Sequence, residues 1–190
     1  MSLENLIRKR RAYRALEPIK ISKEIIEKAA TLSQLAPSCM NNQPWRFIFV
    51  HDPETLKDLL KALSRGNQVW NRNSTIIIAV FSKPDLDCVI GPKKDRTYYQ
   101  FDTGMATAFM ILYLTELDLV AHPMAGFDPV KAKEILRIPE EMELITLIGV
   151  GKKTNIIPED FSENQKKTEF ERPKRKPLSD FVFFNTYKEI

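Results

Sequence analysis

The sequence predicts one domain of mixed class, in which β-strands alternate with amphipathic helices. Its 190 residues suit a single domain, since a chain of this length buries roughly 70% of its unfolded surface. Apolar runs rich in β-branched or aromatic residues predict three strands: WRFIFV (45–50), TIIIAVF (75–81) and LITLIGV (144–150). The chain contains neither the GxGxxG fingerprint nor a P-loop motif, which disfavours the Rossmann and P-loop folds.

Five helices are predicted around these strands from capping residues and apolar periodicity. Their predicted starts are Ser2, Ser22, Asp52, about Tyr98 and Asp128. The helix that runs to Leu117 is apolar nearly all round after Asp102, so we expect it to be the core helix. Pro18 predicts extended chain over residues 13–21, because proline disfavours helix in the residue before it.

Composition excludes a membrane-spanning chain and gives only weak support for a polyanionic partner. The net charge is +4, and the excess lies in residues 8–14 and 166–176. The longest nearly apolar run, Met105 to Leu114, is about half of the ~20 residues that cross a bilayer. The start of the chain lacks the apolar stretch of a signal peptide. We therefore expect a soluble cytoplasmic protein.

The two cysteines, Cys39 and Cys88, show neither a metal-ligand spacing nor a disulfide framework. We expect each to be a reduced thiol in a reducing compartment. No metal site is predicted.

Five positive charges lie in RKRRAYR, residues 8–14. Arginine guanidiniums match phosphate geometry with forked donors, and several in one segment can surround a phosphate monoester. Arg8 and Lys9 are expected on a solvated helix face, whereas Arg10, Arg11 and Arg14 are candidates for binding a phosphate.

Two loops could approach a planar ligand. APSCMNNQPWRF (36–47) carries hydroxyl and amide groups able to read the edge of a heterocycle. AHPMAGFDP (121–129) contains small residues, and Gly126 would allow close approach of the backbone. Taken alone, the first could be an ordinary capped turn and the second a simple loop.

The end of the chain changes character. Residues 152–176 are polar with little periodicity, and residues 178–187 are again apolar and aromatic. We expect this segment to dock on its own domain or on another subunit, since its aromatic side chains need cover.

Five segments, in order along almost the whole chain, resemble motifs of the nitroreductase family of FMN-dependent oxidoreductases. They are Arg10-Arg11-Ala12-Tyr13-Arg14, APSCMNNQPW (36–45), Asp102-Thr103-Gly104-Met105-Ala106, Gly126-Phe127-Asp128 and Arg175-Lys176-Pro177-Leu178. The resemblance implies an α+β, nitroreductase-like fold with a central mixed or antiparallel sheet flanked by helices. It also implies an intertwined homodimer, in which residues 152–190 of the single domain 1–190 form a C-terminal arm around the partner subunit.

The resemblance further implies two FMN sites at the dimer interface. The arginines would meet the phosphate and ribityl chain, the 36–45 loop would contact the flavin from the other subunit, and residues 124–126 would bring backbone amides toward flavin N5. The implied cofactor-binding residues are Arg10, Arg11, Ala12, Arg14, Pro37, Ser38, Asn41, Gln43, Asn67, Met124, Ala125, Gly126 and Arg175.

Two positions depart from the family pattern. Ala12 stands where the family has a serine, so one hydroxyl contact to the cofactor is missing. Trp70 stands where some members have a basic residue near the flavin, and charge at that edge tunes the redox potential.

The implied activity is reduction of nitroaromatics, quinones or similar small acceptors with NADH or NADPH, by a ping-pong hydride transfer. We name no catalytic side chain, because the cofactor carries this chemistry. Tyr98, Tyr99 and Trp70 are candidate pocket walls, although aromatic residues are more often core, and His122 is expected to be structural.

Two alternatives remain open. The first is a flavoenzyme of the same fold with a dedicated reaction, such as reductive dehalogenation, flavin breakdown or dehydrogenation. The segment from Lys83 to Arg96 has room for only a small lid, which favours broad specificity instead. The second is a nucleic-acid-binding module, which the scarcity of aromatic residues among the basic ones disfavours. We expect no nucleic-acid partner and no membrane partner.

Overall fold

The computed structural model of the chain describes residues 1–91 and 95–187. Their strands are β1 (Leu16–Glu17), β2 (Arg46–Val50), β3 (Ile76–Ser82), β4 (Val89–Ile90), β5 (Arg96–Thr97), β6 (Leu119–Met124) and β7 (Glu143–Lys153). Their α-helices are α1 (Leu3–Lys9), α2 (Lys23–Ser33), α3 (Pro53–Leu60), α4 (Arg65–Asn71), α5 (Tyr99–Glu116), α6 (Pro129–Leu136) and α7 (Glu163–Phe170). The predicted α+β class is confirmed.

An antiparallel five-stranded sheet forms the centre of the fold. The long strand β7 pairs with β3, β6 and β1, and β2 extends the sheet beyond β3. All of these pairs are antiparallel, which settles the choice between a mixed and an antiparallel sheet. All three predicted strands lie in this sheet.

Both faces of the sheet are covered, because successive side chains of a strand point to opposite faces. In β3, Ile77 packs in a cluster with Trp70 of α4. Its neighbour Ile78 packs in a second cluster with Met110 of α5. This two-sided burial explains the near-continuous apolar run of β3.

The core helix α5 is covered on one side only by its own chain. Ala106, Met110 and Leu114 are buried, whereas Phe101 is 65% exposed and Phe109 is 41% exposed. The helix is apolar nearly all round, as the sequence indicates, yet Phe101 and Phe109 face away from the described part of the chain.

Capping side chains start three of the five predicted helices, at Ser2, Asp52 and Asp128, whereas Ser22 and Tyr98 are at the N-cap without a side-chain capping bond. Ser2 Oγ accepts a hydrogen bond from Asn5 N at 3.3 Å, and Asp52 Oδ2 accepts one from Thr55 N at 2.9 Å. Helix α3 ends at Leu60, and residues 61–63 continue as tighter turns.

The described elements that were not predicted include helices α4 and α7 and strands β4, β5 and β6. Helices α4 and α7 and strand β6 lie in stretches without a clear apolar period. Strands β4 and β5 form a two-stranded ribbon across the segment 83–97, of which residues 92–94 lie outside the described residues. None of the described helices is both long and apolar enough to cross a membrane.

The final segment leaves most of its own aromatic side chains exposed. After α7, the chain is largely exposed, with Phe184 83% and Tyr187 70% accessible. Residues 188–190 of the predicted arm lie outside the described part of the chain.

Candidate functional site

The basic segment 10–14 lies against the C-terminal end of α7. The carboxylate of Glu169, only 5% exposed, accepts hydrogen bonds from the backbone N–H groups of Arg14 and Ala15 at 2.8 and 3.2 Å. Hydrogen bonds to an ionised acceptor are among the stronger ones in proteins. Glu169 therefore fixes the backbone from which the arginine side chains project.

Two of the arginine side chains are anchored on the same turn of α7. Arg11 Nη2 donates to the carbonyl oxygen of Thr168 at 2.6 Å, and Arg14 Nη1 donates to Thr168 Oγ1 at 3.2 Å. Each guanidinium has five N–H donors, so these bonds orient the side chain and leave further donors.

Other arginines come together from the two ends of the chain. Arg172 Nη2 donates to the backbone oxygens of Arg8 and Arg10, both at 2.7 Å. Burial lowers the pKa of Arg10, and the positive charges of Arg172 and Arg175 lower it further. Arg10 and Arg175 belong to the predicted phosphate site; Arg172 was not assigned to it.

The described residues provide no carboxylate partner for five arginines of this region. Among the described residues, none of them forms an ion pair with a carboxylate within 4.0 Å. The chain has 25 acidic residues that could have formed such ion pairs. Like charges held together repel one another, so an anion bound among them would relieve that repulsion. The set is Arg10, Arg11, Arg14, Arg172 and Arg175, which we call the arginine cluster.

The loop that follows α2 has a fixed and unusual backbone. Met40, Asn41 and Gln43 all adopt positive φ, at 52°, 59° and 49°. Ser38 Oγ accepts a hydrogen bond from Gln43 N at 3.0 Å, and Gln43 Nε2 lies 3.3 Å from both Asn41 O and Asn41 Oδ1. Asn41 is exposed, as is Pro37, so the loop presents amide groups at the surface.

The loop at the end of β6 is held by α4. Gly126 O accepts hydrogen bonds from Ser64 N at 2.8 Å and from Asn67 Nδ2 at 3.0 Å. A Cβ on Gly126 would lie 2.6 Å from Ser64 Oγ and 2.8 Å from Asn67 Nδ2, so any larger residue would displace these side-chain groups. Met124 is buried while Ala125 is exposed, which leaves backbone rather than Met124 side chain at the surface.

Asn67 uses both ends of its amide within the chain. Its Nδ2 donates to Gly126, and its Oδ1 accepts a hydrogen bond from Trp70 Nε1 at 3.1 Å. In the structure Asn67 therefore positions the 124–126 loop, and its predicted contact with a flavin stays a prediction.

The prediction that Trp70 lines a pocket is wrong. Its side chain is completely buried in the core, where it stacks on His122 with ring centroids 4.6 Å apart. Tyr99 is also buried, its hydroxyl donates to Glu143, and burial with the Glu143 contact raises the pKa of Tyr99 to about 12. Of the three candidate pocket walls, only Tyr98 is partly exposed.

His122 connects β6 to the basic segment. Its Nδ1 lies 3.0 Å from the carbonyl oxygen of Tyr13, so Nδ1 carries the proton and donates. Burial lowers the pKa of His122 to about 4, and the nearby charges of Arg14 and Arg10 act in the same direction. The imidazole is therefore neutral at neutral pH, in agreement with a structural role.

The two cysteines form a disulfide, so the prediction of reduced thiols is wrong. The fold brings the Cα atoms of Cys39 and Cys88 to 6.0 Å, within the range that a disulfide spans. Their separation of 49 residues in the sequence gives no signal of this contact. The bond ties the 36–43 loop to the segment just before β4.

A pair of carboxyl groups lies beside this disulfide. Asp102 Oδ2 accepts a hydrogen bond from Cys39 N at 2.6 Å. Burial raises the pKa of Asp102, and the neighbouring carboxyl of Asp87 raises it further. Asp87 Oδ2 is buried and receives no hydrogen bond from a protein donor in the described chain. A proton shared by the two carboxyl groups would satisfy that oxygen.

The structure brings some predicted site residues together and separates others. The arginine segment contacts β6 through His122, and β6 ends in the 124–126 loop. The 36–43 loop lies elsewhere: Cys39 contacts Asp102 in the first turn of α5, whereas Lys9, next to Arg10, pairs with Asp118 beyond the other end of α5. Sixteen residues of helical rise correspond to about 24 Å.

The buried neutral state of His122 predicts a pH-dependent stability. The folded-state pKa of His122, about 4, lies below the value of about 6.5 for an exposed histidine. Its contribution to the free energy of unfolding is therefore intact above about pH 6.5 and is lost as the pH falls from there toward 4. The stability of the wild type relative to His122→Asn should decrease by about 1 kcal/mol per pH unit over this window. Urea unfolding at a series of pH values measures it. The surface variant His51→Asn should parallel the wild type; a parallel profile for His122→Asn would contradict the interpretation.

Comparisons with known proteins agree with this architecture. The model of the nitroreductase family matches residues 7–152. A solved structure described as an oxidoreductase containing FMN superposes with a TM-score of 0.82 at 27% identity, over 99% of this chain and 94% of that one. A nitroreductase family protein from Clostridium difficile 630 gives 0.77 at 28% identity, over 98% and 100%. A protein of Archaeoglobus fulgidus named "Putative NADH dehydrogenase/NAD(P)H nitroreductase" is 29% identical over 153 residues, which cover 77% of this chain and 82% of that one. The chain belongs to the nitroreductase family.

Proposed function

We propose that the chain is an FMN-dependent oxidoreductase that uses NADH or NADPH to reduce small acceptors such as nitroaromatics and quinones. The observation that carries the proposal is the arginine cluster. The charges of Arg172 and Arg175 act on Arg10, and Arg11 and Arg14 both bond Thr168. Among the described residues, none of the five has a carboxylate partner within 4.0 Å. The family membership and the FMN of a similar oxidoreductase support the identity of the ligand.

The residues present suit the phosphate of FMN. A phosphate monoester is a dianion at neutral pH and offers three acceptor oxygens to several forked donors. Arg10, Arg172 and Arg175 already lie close enough for their charges to interact. Ala12 supplies no hydroxyl, so its contact with the cofactor is limited to backbone and methyl groups.

The separation of the two proposed flavin-contacting segments supports a homodimer. The arginine segment and the 36–43 loop lie near opposite ends of α5, too far apart for one small cofactor. A partner chain related by two-fold symmetry would bring its own loop to the arginines. The exposed side chains of Phe101 and Phe109 and the aromatic residues of the 178–187 segment provide apolar surface for such a contact.

The protein's part in the reaction would be binding and orientation. FMN held there would supply the two-electron chemistry of the proposed ping-pong reaction between NADH or NADPH and a small acceptor. The arginine cluster would hold the phosphate, while the 124–126 loop, fixed by Asn67, would present backbone to the ring. His122 is neutral and buried, and we assign it no proton transfer.

The described structure does not favour the nucleic-acid alternative. Two of the six basic residues in the run 166–176 are paired with carboxylates, Lys166 with Glu163 and Lys167 with Glu171, and Arg172 donates to backbone oxygens of the N-terminal segment. Nonspecific nucleic-acid binding needs lysines and arginines that are free to reach phosphates along an extended surface.

Purification of the protein tests the proposal directly. We expect the two flavin absorption bands and release of one FMN per chain on denaturation. NADH or NADPH should bleach these bands, and a quinone or nitroaromatic should restore them. A colourless protein that takes up no added FMN would contradict the cofactor assignment. A yellow protein that oxidises neither nucleotide would contradict only the reaction.

The arginine cluster predicts a large loss of FMN affinity in Arg10→Gln. Removing one charge-assisted hydrogen bond costs about 1.5–3 kcal/mol, which corresponds to a Kd about 10- to 100-fold weaker. Fluorescence titration of the apoprotein with FMN measures the change. Arg8→Gln is the matched control, because Arg8 is exposed and pairs with Glu4. Equal losses in both variants would indicate a general charge effect.

The C-terminal segment predicts a dimerisation defect. Replacing exposed Phe181 and Phe184 by serine should shift the protein toward monomer and release FMN, since the arm would lose its apolar contacts. Sedimentation analysis and the flavin content measure both effects. Ile156→Ser changes another exposed apolar residue outside this segment and should alter neither. A dimeric, yellow double variant would refute the wrapping arm.

A further inference from the structure

The disulfide lies at the start of the loop that carries Ser38, Asn41 and Gln43. Both Cys39 and Cys88 are only partly buried, so a small thiol reagent or an enzyme can reach them. The proposed phosphate site does not include these two cysteines.

The loop after Cys39 is held in a conformation that its residues do not favour. Three non-glycine residues among four successive positions, Met40, Asn41 and Gln43, have positive φ. For residues with a Cβ this region is sterically unfavourable. Such a backbone persists only where surrounding contacts determine it.

Some of those contacts lie within the loop, from Ser38 to Gln43, and the others lie at the disulfide. Cys39 N is bound by Asp102, and Asn42 Nδ2 lies 3.3 Å from Asp87 Oδ1 and 3.6 Å from Cys88 Sγ. The bond between Cys39 and Cys88 is the covalent tie between this loop and the 87–88 segment. When it is cut, the loop keeps only exposed hydrogen bonds to that segment.

We propose that Cys39 and Cys88 form a thiol–disulfide exchange site through which a dithiol reductant weakens FMN binding. The inference rests on the proposed function, in which the 36–43 loop contacts the flavin. With the bond intact, the loop is pre-organised and presents Asn41 and Gln43 in fixed positions; with the bond cut, binding must also order the loop.

The exchange balances without another reactant. A thiolate of the dithiol attacks one sulfur, the bond between Cys39 and Cys88 breaks, and a mixed disulfide forms. The second thiol of the reductant then displaces that cysteine. Two electrons and two protons pass to the protein, which ends with two thiols, and the reductant ends as a disulfide.

FMN titration of the oxidised and the reduced protein tests this inference. Dithiothreitol serves as the dithiol, alkylation followed by mass measurement counts the thiols, and EDTA is present because Cys39, Asp87 and Cys88 could capture a metal once reduced. We expect FMN to bind the reduced form at least about fivefold more weakly, the lower end of typical coupling between two sites. Reoxidation should restore the affinity.

The double variant Cys39→Ser, Cys88→Ser is the matched control. It should bind FMN like the reduced wild type and should not respond to dithiothreitol. Should this variant fail to fold, reduction and reoxidation of the wild type, with circular dichroism to show that the fold is kept, decides the matter alone.

The outcomes separate the two proposals. Equal affinity of the oxidised and reduced forms would overturn the exchange site and leave the FMN proposal intact, as would a bond that dithiothreitol does not cut in the native protein. Failure of both forms to bind FMN would contradict the proposed function and this inference with it.

Discussion

The charge distribution of this protein depends on one buried carboxylate. Glu169 accepts hydrogen bonds from two successive backbone N–H groups, Arg14 and Ala15, and thereby joins the last α-helix to the segment that follows the first. Together with the hydrogen bonds of Arg11 and Arg14 to Thr168, this contact keeps the arginines of the N-terminal segment beside α7 against the repulsion of their neighbours. The buried acceptor of Glu169 thus holds α7 and the N-terminal segment together, although the repulsion between their arginine charges would separate them.

A second set of contacts connects the arginine segment to the sheet. Tyr13 O fixes the ring of His122, His122 stacks on Trp70, and Trp70 donates to Asn67, which in turn fixes Gly126. The indole fits because β7 has no side chain at residue 149: a Cβ there would lie 2.6 Å from the ring of Trp70. The phosphate end and the ring end of the proposed flavin site are therefore connected through packed, hydrogen-bonded groups.

Sequence reasoning succeeded where one local signal dominates and failed where tertiary contacts decide. Apolar β-branched runs located β2, β3 and β7, and aspartate followed by proline located α3 and α6. Helix α7 has no apolar face and was missed, although Ser162 and Gln165 form a capping box that the sequence displays. Within the candidate site, the basic segment was identifiable from its charge, whereas the contact of Arg172 with Arg10 and the bond between two cysteines 49 residues apart arise only from the folded chain.

The geometry of helix α5 determines which mutations the chain can tolerate. Its two ends are tied to different parts of the candidate site, through Asp102 at one end and Asp118 beyond the other. Adding or removing one residue between them would rotate one end against the other by about 100° and shift it by about 1.5 Å. In a two-fold dimer this error would appear in both sites at once. The middle of α5 should therefore accept substitutions far more readily than insertions or deletions, so its length is a more constrained property than its composition.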